Sequence, residues 1–288
     1  MPDFEKFRVG STDYNVKDAS AAHVYVGSGT APAGTTIKID PDGDAAVILE
    51  DAPSDGNQYA RQNGAWTAVT GGGTASRWAN KNVLVIGDST SDPGSGYPNH
   101  GHPWQETTGT ELGCNIFSHA KGSATLLDMI NGSSNPQIAA LTQQDVTGKD
   151  LIILYGGAND ASTDHVQLGQ VGDLYTSRGS AGDTLCGRLY YAVRRIYQLL
   201  AAANNLACRV MLVAYYNSGA ELGDERWTQA AEDVAHWLGI PCINLRKTSG
   251  INPATWSLYG YSSGDMHLGS AGNVLVGKQI ARFIDREV

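Results

Sequence analysis

The pattern of hydrophobic positions in this chain changes at about residue 80. From there on, continuous apolar runs of strand length alternate with segments whose apolar positions recur every three to four residues. The strand-length runs cover residues 82–86, 151–155, 209–214 and 242–245, and residues 115–118 form a candidate edge strand. Continuous apolar runs are typical of parallel strands that are buried on both faces. The pattern therefore predicts a parallel β-sheet.

Three segments show the apolar stripe of an amphipathic helix. The stripes cover residues 185–200, 227–238 and 276–284. Arg188, Arg194 and Arg195 avoid the first stripe. Trp227 and Trp237 lie on the second stripe, which predicts core positions. Strands that alternate with helices imply right-handed crossovers and a sheet covered on both faces, so we expect an α/β fold.

The first 70 residues have a different character. Short runs at residues 22–26, 35–39 and 45–49 are separated by clusters of Gly, Pro and Asp, which predicts short strands and turns. This part holds 10 acidic and 5 basic residues, and we expect its small, turn-rich sequence to need oligomerisation for stability. The small residues that follow predict a flexible Gly-rich linker. We expect a β-rich module at residues 1–70, the linker at 71–78 and the α/β domain at 79–288.

Composition and charge exclude several classes of protein. The chain has 288 residues, of which 41% are hydrophobic and 17% charged, so it can form a core and has too little charge for a coiled coil or a disordered chain. The net charge of -9 and the lack of a basic run argue against a nucleic-acid partner. No apolar run approaches the roughly 20 residues of a membrane span, so we expect no membrane insertion. The N-terminus lacks a secretion pattern, so we expect a soluble protein without a signal peptide.

The spacing of cysteine and histidine gives little support for a metal site. The four cysteines are far apart and form no Cys-x-x-Cys pair: Cys114, Cys186, Cys208 and Cys242. Reduced thiols are the simplest interpretation, and a single disulfide is left open. His100 and His102 alternate as two metal ligands would, but there is no clear third ligand. We expect these histidines to be solvated or to line a cleft, and we predict no metal and no cofactor.

Polar residues follow the predicted strands at their carboxyl ends, where open parallel sheets bind ligands. Ser89, in a Gly-Asp-Ser-Thr segment, is placed either as an exposed nucleophile or as an ordinary turn residue. Asn159, in a Gly-Gly-Ala-Asn-Asp segment, can aim its amide at an oxyanion or form a turn. Gly122 follows the edge strand and can offer a backbone N–H. His267 precedes the last helix, which we expect Ser270 to cap.

In this order the four segments resemble the SGNH (GDSL-type) hydrolase family. The resemblance rests on Gly87-Asp88-Ser89, Gly122, Gly157-Ala158-Asn159-Asp160 and His267, and it covers about residues 80–288. It implies a flavodoxin-like three-layer α/β/α sandwich and ester hydrolysis. Ser89 would attack the ester carbonyl, and His267 would act as general base and then as general acid. The oxyanion would be held by the Ser89 N–H, the Gly122 N–H and the Asn159 side chain.

The acid of the implied triad departs from the family pattern. In this family the last of the four segments usually reads Asp-x-x-His. Here Gly264 lies three residues before His267, and Asp265 lies two before it. The acid must accept a hydrogen bond from the ring nitrogen that faces away from the serine. We favour Asp265 over a backbone carbonyl or a distant acid, and we expect Asp88 and Asp160 to be structural turn residues.

The loops beside these motifs bear on the substrate. The segments after Ser89 and Asn159 are rich in Gly, Ser, Asp and His, which favours a small acyl group on a polar alcohol over the long chain of a lipase or lysophospholipase substrate. Residues 161–183, including His165, are expected to form a pocket wall or a lid, or else a plain surface loop. A non-catalytic receptor-binding protein on the same scaffold is the alternative from another class. The presence of all four motifs together argues against it.

Two N-terminal segments, residues 7–19 and 55–66, resemble parts of bacteriophage or prophage tail and baseplate proteins. The resemblance implies a virion-associated esterase that acts on O-acetyl groups of a bacterial surface polysaccharide. The N-terminal module would then attach the enzyme to the tail and assemble as a homotrimer. The missing secretion signal fits a protein made in the bacterial cytoplasm and released by lysis. A free bacterial esterase with a carbohydrate-binding or packing module is the alternative, and the sugar and the acyl position stay open.

Overall fold

The structure is a computed structural model that describes residues 76–94, 104–131, 135–163, 166–217 and 225–288, together with six short strands nearer the N-terminus. The chain divides into two units, Met1–Thr74 and Ala75–Val288. The predicted strand at 22–26 and most of the predicted linker at 71–78 lie outside the described residues.

The six strands of the first unit form three antiparallel pairs. The pairs are β1 (Lys6–Val9) with β2 (Thr12–Asn15), β3 (Thr36–Ile39) with β4 (Ala45–Ile48), and β5 (Tyr59–Gln62) with β6 (Ala65–Ala68). The strands predicted near residues 35–39 and 45–49 are therefore present as β3 and β4.

The second unit is built around a five-stranded parallel sheet. Its strands are β7 (Asn82–Gly87), β8 (Asn115–Ser118), β9 (Leu151–Tyr155), β10 (Arg209–Ala214) and β11 (Cys242–Asn244), in the order β11-β10-β9-β7-β8. All five match the predicted runs, and β8 lies at an edge as expected. The inner strands β7, β9 and β10 are buried almost throughout, which explains why their sequences are continuously apolar.

Helices flank this sheet and complete the predicted three-layer α/β/α fold. They are α1 (Trp104–Leu112), α2 (Leu126–Asn131), α3 (Gln143–Val146), α4 (Ala158–Thr163), α5 (Leu185–Ala202), α6 (Glu225–Leu238), α7 (Leu245–Thr248), α8 (Trp256–Tyr259) and α9 (Ser270–Glu287). The three predicted stripes correspond to α5, α6 and α9. α5 packs against α6, and α1 packs against α9. Among the described residues, none of the helices has both the length and the apolar character needed to cross a membrane.

Two sequence predictions about the helices are wrong. Trp237 is 48% exposed, because its ring packs edge-on against Tyr190 of α5, with 5.0 Å between the ring centroids, instead of entering the core. Ser270 does not cap α9, because it is already the first helical residue. The N-cap is Gly269, which makes no side-chain capping bond.

Residues 76–78, at the end of the predicted linker, are tied to α9. The Ser76 hydroxyl donates a hydrogen bond to Asp285 Oδ1 at 2.7 Å. The buried Trp78 indole donates to the Ile284 carbonyl at 3.2 Å. These bonds are formed within the second unit, so this end of the linker is anchored.

All four cysteines carry free thiols, so the disulfide that the sequence left open is not formed. Burial raises the pKa of Cys186 to about 11 and the pKa of Cys208 and Cys242 to about 12. These thiols are therefore protonated and unreactive at neutral pH.

Candidate active site

Ser89 and His267 meet at the carboxyl end of the sheet, although they are 178 positions apart in the chain. Ser89 follows β7, and His267 lies in the loop before α9. His267 Nε2 is 2.8 Å from Ser89 Oγ, and His267 Nδ1 is 2.6 Å from Asp265 Oδ1. Both Ser89 and His267 are buried. The structure thus brings together the three residues that the sequence put forward as nucleophile, base and acid.

The unusual spacing of Asp265 and His267 is accommodated by a tight turn. Asp265 Oδ1 accepts the His267 backbone N–H at 2.9 Å, which is the two-residue side-chain-to-backbone bond of an Asx turn. The same oxygen faces the imidazole at 2.6 Å. Gly264, with φ of 80°, occupies the left-handed conformation that starts this turn and that glycine adopts without strain. A carboxylate two residues before the histidine can therefore still orient the ring.

The electrostatics of Asp265 fit an ionised acid. Partial burial favours the neutral form, but the backbone N–H and the imidazole of His267 outweigh it, and the pKa of Asp265 is lowered. An anion at this position can hold one tautomer of the imidazole and stabilise the imidazolium that forms during proton transfer.

Asp88 links the turn that carries Ser89 to α4 and to Tyr215. It is fully buried and accepts hydrogen bonds from the Thr90 N–H at 3.0 Å, from the Ala158 N–H at 3.2 Å and from the Tyr215 hydroxyl. Burial raises the pKa of Asp88, and these hydrogen bonds act in the opposite direction. Because Ala158 begins α4, Asp88 fixes Ser89 relative to the segment that carries Asn159.

Two glycines allow the backbone segments of the site to approach each other. A Cβ atom on Gly87 would lie 2.4 Å from the Tyr155 carbonyl oxygen, and one on Gly157 would lie 2.5 Å from the Trp227 ring. Gly157 also has φ of 113°, which side-chain-bearing residues rarely adopt. Trp227 itself is buried, as predicted. Larger residues at either glycine would push apart the segments that carry Ser89 and Asn159.

The predicted oxyanion donors are engaged with protein groups in this structure. The Asn159 side-chain amide donates to the Ala124 carbonyl at 2.9 Å. The Gly122 N–H donates to Asp92 Oδ2 at 2.8 Å. Gly122 can therefore serve an oxyanion only after its bond to Asp92 breaks. Asp92 has no sequence signal of its own, because its role depends on contact between two loops that are 30 positions apart.

Arg188 is a second residue whose environment the sequence did not reveal. It lies off the apolar stripe of α5, yet it is 2% exposed and its guanidinium lies 3.0 Å from Asp160 and 2.7 Å from Asp183. Burial raises the pKa of Asp160 to about 7, while the Leu126 N–H and Arg188 act in the opposite direction. A buried arginine is tolerated here because two carboxylates pair with it. Asp160 therefore ties α4, which carries Asn159, to α5.

Three histidines considered in the sequence lie outside the described side chains: His100, His102 and His165. Within the described part of the chain, no group of three or more His, Cys, Asp or Glu side chains could hold a metal ion. An open groove of about 780 Å³ runs along α1 and β8, with Pro93, Gln105, Cys114 and Ser118 in its lining. The groove borders the loop after Ser89 but does not include Ser89 or His267.

The chain is similar to a known family and to several solved structures. The model of the GDSL-like Lipase/Acylhydrolase family matches residues 85–275, a range that includes every candidate site residue. A solved structure of a protein from Lactobacillus plantarum is 17% identical, with a TM-score of 0.56, and the match covers 73% of this chain and 99% of that one.

Two further solved structures have lower TM-scores. A member of the lipolytic G-D-S-L family from Veillonella parvula is 15% identical, with a TM-score of 0.46 and coverage of 72% of this chain and 99% of that one. A catalytic mutant of an acetylxylan esterase from Geobacillus stearothermophilus is 13% identical, with a TM-score of 0.45 and coverage of 73% and 96%. A comparison with curated proteins found no match. At these identities the likeness to solved structures concerns the fold.

Proposed function

Because the chain belongs to the GDSL-like lipase/acylhydrolase family, we propose that it is a serine esterase whose catalytic triad is Ser89, His267 and Asp265. One observation carries this proposal: the two nitrogens of a single imidazole lie 2.8 Å from Ser89 Oγ and 2.6 Å from Asp265 Oδ1. An imidazole between a serine and a carboxylate can remove the serine proton and retain the resulting positive charge.

The proposed reaction has two steps. Ser89 Oγ attacks the ester carbonyl while its proton moves to His267 Nε2, and the tetrahedral intermediate then expels the alcohol, which takes that proton. Water next attacks the acyl-enzyme, with His267 again accepting a proton, and the carboxylic acid leaves as Ser89 recovers its proton. Asp265 stays ionised throughout and holds the imidazole in one orientation.

The negative charge of the tetrahedral intermediate needs hydrogen-bond donors. We assign this role to the Ser89 N–H, the Gly122 N–H and the Asn159 amide. The bond from Asn159 to the Ala124 carbonyl supports the assignment, because it links the asparagine to the loop that carries Gly122. The Asp92 carboxylate on the Gly122 N–H would be displaced when the oxyanion forms.

The substrate we propose is a small acyl ester, most specifically an O-acetyl group on a carbohydrate. On the two loops beside Ser89, the polar residues Asp92, Lys121 and Ser123 are at least partly exposed, whereas the apolar Ala120 and Ala124 are small and buried. A surface of this kind suits a hydroxyl-rich alcohol and provides little apolar area for a long acyl chain.

The biological setting that we propose rests on the N-terminal sequence. The resemblance of residues 7–19 and 55–66 to phage tail proteins suggests that the first unit attaches the esterase to a virion and forms a homotrimer. The substrate would then be an acetylated polysaccharide on a bacterial surface.

Hydrolysis of p-nitrophenyl acetate, butyrate and octanoate tests the proposed function. We expect acetate to be the fastest substrate, and we expect Ser89→Ala to lower kcat on the order of 10⁴-fold or more. Ser257→Ala is the matched control, because Ser257 is an exposed serine in α8 and its loss should leave kcat unchanged.

Other outcomes of these assays would favour a different function. A lack of Ser89-dependent hydrolysis on all three esters would favour a non-catalytic receptor-binding protein. A preference for octanoate would favour a lipase-type esterase. The proposal that the acetyl group is carried by a carbohydrate is tested by acetate release from an O-acetylated bacterial polysaccharide. The same polysaccharide after alkaline deacetylation is the blank.

A further inference from the structure

Two adjacent tyrosines follow β10 directly and bond to the segments that carry Ser89 and His267. Tyr215 and Tyr216 are both almost completely buried. Their hydroxyls bond to two different loops. The Tyr215 hydroxyl donates to Asp88 Oδ2, and the Tyr216 hydroxyl donates to the Met266 carbonyl at 2.8 Å.

The two acceptors occupy equivalent places next to the reacting residues. Asp88 is the residue immediately before Ser89, and Met266 is the residue immediately before His267. Two neighbouring positions at the end of one inner strand thus restrain both partners of the contact between Ser89 and His267. No local turn can set that contact, because its partners are 178 positions apart.

The tyrosines belong to a continuous row of buried rings, which we call the aromatic row: Trp104, Tyr155, Tyr215, Tyr216 and Trp256. Neighbouring ring centroids along the row are 5.5, 4.7, 6.3 and 6.2 Å apart. At the far end, the Trp256 indole donates to the Ser262 carbonyl at 2.9 Å, inside the loop that leads to His267. The row therefore runs from Trp104 in α1 to Trp256 in α8, and its other rings pack on both sides of the two tyrosines.

The hydroxyls of Tyr215 and Tyr216 are donors at any working pH. Burial raises the pKa of both groups well above the usual range, and the nearby Asp88 acts in the same direction. Hydrogen bonds in such a dry environment are stronger than at the surface, and an unpaired partner there is costly.

We propose that Tyr215 and Tyr216 are positioning residues that together hold Ser89 Oγ and His267 Nε2 within hydrogen-bond distance. This inference rests on the proposed function, because it gives the pair a role in proton transfer. Tyr215 acts through Asp88, and Tyr216 acts through the Met266 carbonyl. A displacement of about 1 Å between reacting groups can cost on the order of 10²-fold in rate, so two restraints on one distance have a large effect.

The first test compares Tyr215→Phe and Tyr216→Phe with Tyr155→Phe. Tyr155 is the matched control, because it is an equally buried tyrosine of the aromatic row whose hydroxyl has no hydrogen-bond partner among the described residues. For p-nitrophenyl acetate we expect kcat to fall about 10- to 100-fold in the first two variants, with KM changed less than about 2-fold. Tyr155→Phe should retain the wild-type kcat. All variants are assayed well below their own Tm.

The double variant sharpens the test. Because both tyrosines restrain the same distance, the fall in kcat for Tyr215→Phe/Tyr216→Phe should be smaller than the product of the two single effects. A purely multiplicative result would mean that the two residues act independently and would overturn the joint role.

A second measurement does not depend on activity. The proton on His267 Nδ1, held between the ring and Asp265, should give an NMR signal in the wild type and in Tyr155→Phe. In Tyr216→Phe that signal should broaden or be lost, because a loop no longer held at Met266 lets solvent reach the buried His267 ring and the proton then exchanges faster. If the wild type hydrolyses no ester, the proposed function fails, whereas this measurement still tests the positioning role.

The following results would overturn the inference. One is a kcat in both single variants within about 2-fold of Tyr155→Phe, together with an unchanged His267 signal. Another is a rise in KM at constant kcat, which would indicate a role in substrate binding. If Tyr215→Phe does not fold, Tyr216→Phe alone is compared with Tyr155→Phe, and an unchanged kcat together with an unchanged His267 signal would overturn the inference.

Discussion

The triad side and the oxyanion side of the site use their hydrogen bonds differently. On the triad side, Ser89, His267 and Asp265 bond to one another, so the contacts present in the structure are the ones that the proposed reaction needs. On the oxyanion side, the Gly122 N–H is bonded to Asp92 and the Asn159 amide to Ala124. In the proposed reaction, the groups that would move a proton are therefore assembled in advance, whereas one proposed donor for the developing charge would have to exchange its partner. Hydrogen bonds of a catalytic site often reach their final geometry only when substrate is bound.

Asp265→Asn tests whether the triad side depends on charge, and it carries the largest expected effect of the three variants that follow. The amide keeps an oxygen for the Asx turn but loses the negative charge that stabilises the imidazolium. We expect kcat for p-nitrophenyl acetate to fall on the order of 10³–10⁴-fold. Asp233→Asn, which changes a carboxylate on α6 that bonds to Gln229, is the control. Wild-type activity in Asp265→Asn would show that another group is the acid.

Asn159→Ala tests the oxyanion side. If the amide binds the oxyanion, kcat should fall on the order of 10²–10³-fold while KM for the small ester changes little. Asn205→Ala is a matched control, because the Asn205 amide also donates to main-chain carbonyls, at 2.8 and 2.9 Å, and lies away from the site. It should lower Tm without changing kcat. An equal loss of kcat in both variants would count against the oxyanion role.

Asp92→Ala should have the smallest effect, and in the opposite direction. Removal of the carboxylate leaves the Gly122 N–H available before the substrate arrives, so we expect kcat/KM to rise about 2- to 5-fold, in line with the net free energy of one hydrogen bond. Asp92→Asn keeps an acceptor oxygen near Gly122 and should change kcat/KM less. A fall in kcat/KM in Asp92→Ala would instead indicate that Asp92 holds the Gly122 loop in its working position.

Much of the fold was predictable because its strands and long helices leave simple patterns. The inner strands are buried on both faces, so their sequences are continuously apolar, and α5, α6 and α9 are long enough to show a stripe. Helices such as α3 and α7 have only four residues, which is too short for a helical period to be visible. Trp237 shows a further limit, because a position on the stripe can face a neighbouring helix instead of the sheet.

The candidate site was predictable where a residue type and its order along the chain were enough. Ser89, Asn159 and His267 stand out because each follows a strand or precedes the terminal helix. Asp92 and Arg188 did not stand out, because their partners come from distant segments and only the folded chain brings them together. An arginine beside an apolar stripe resembles a surface residue until the two carboxylates that pair with it are known.

The Asx turn at Asp265 has a consequence for how the enzyme can change over evolutionary time. One carboxylate oxygen accepts from both the main chain and the ring of His267, so the proposed acid and base form a cassette, a unit of three consecutive residues. Insertions or deletions elsewhere in the loop before α9 would carry the cassette along intact. Such changes vary only its placement relative to Ser89. The loop can thus be remodelled for new substrates at little risk to the acid–base pair, provided that the contact with Ser89 is kept.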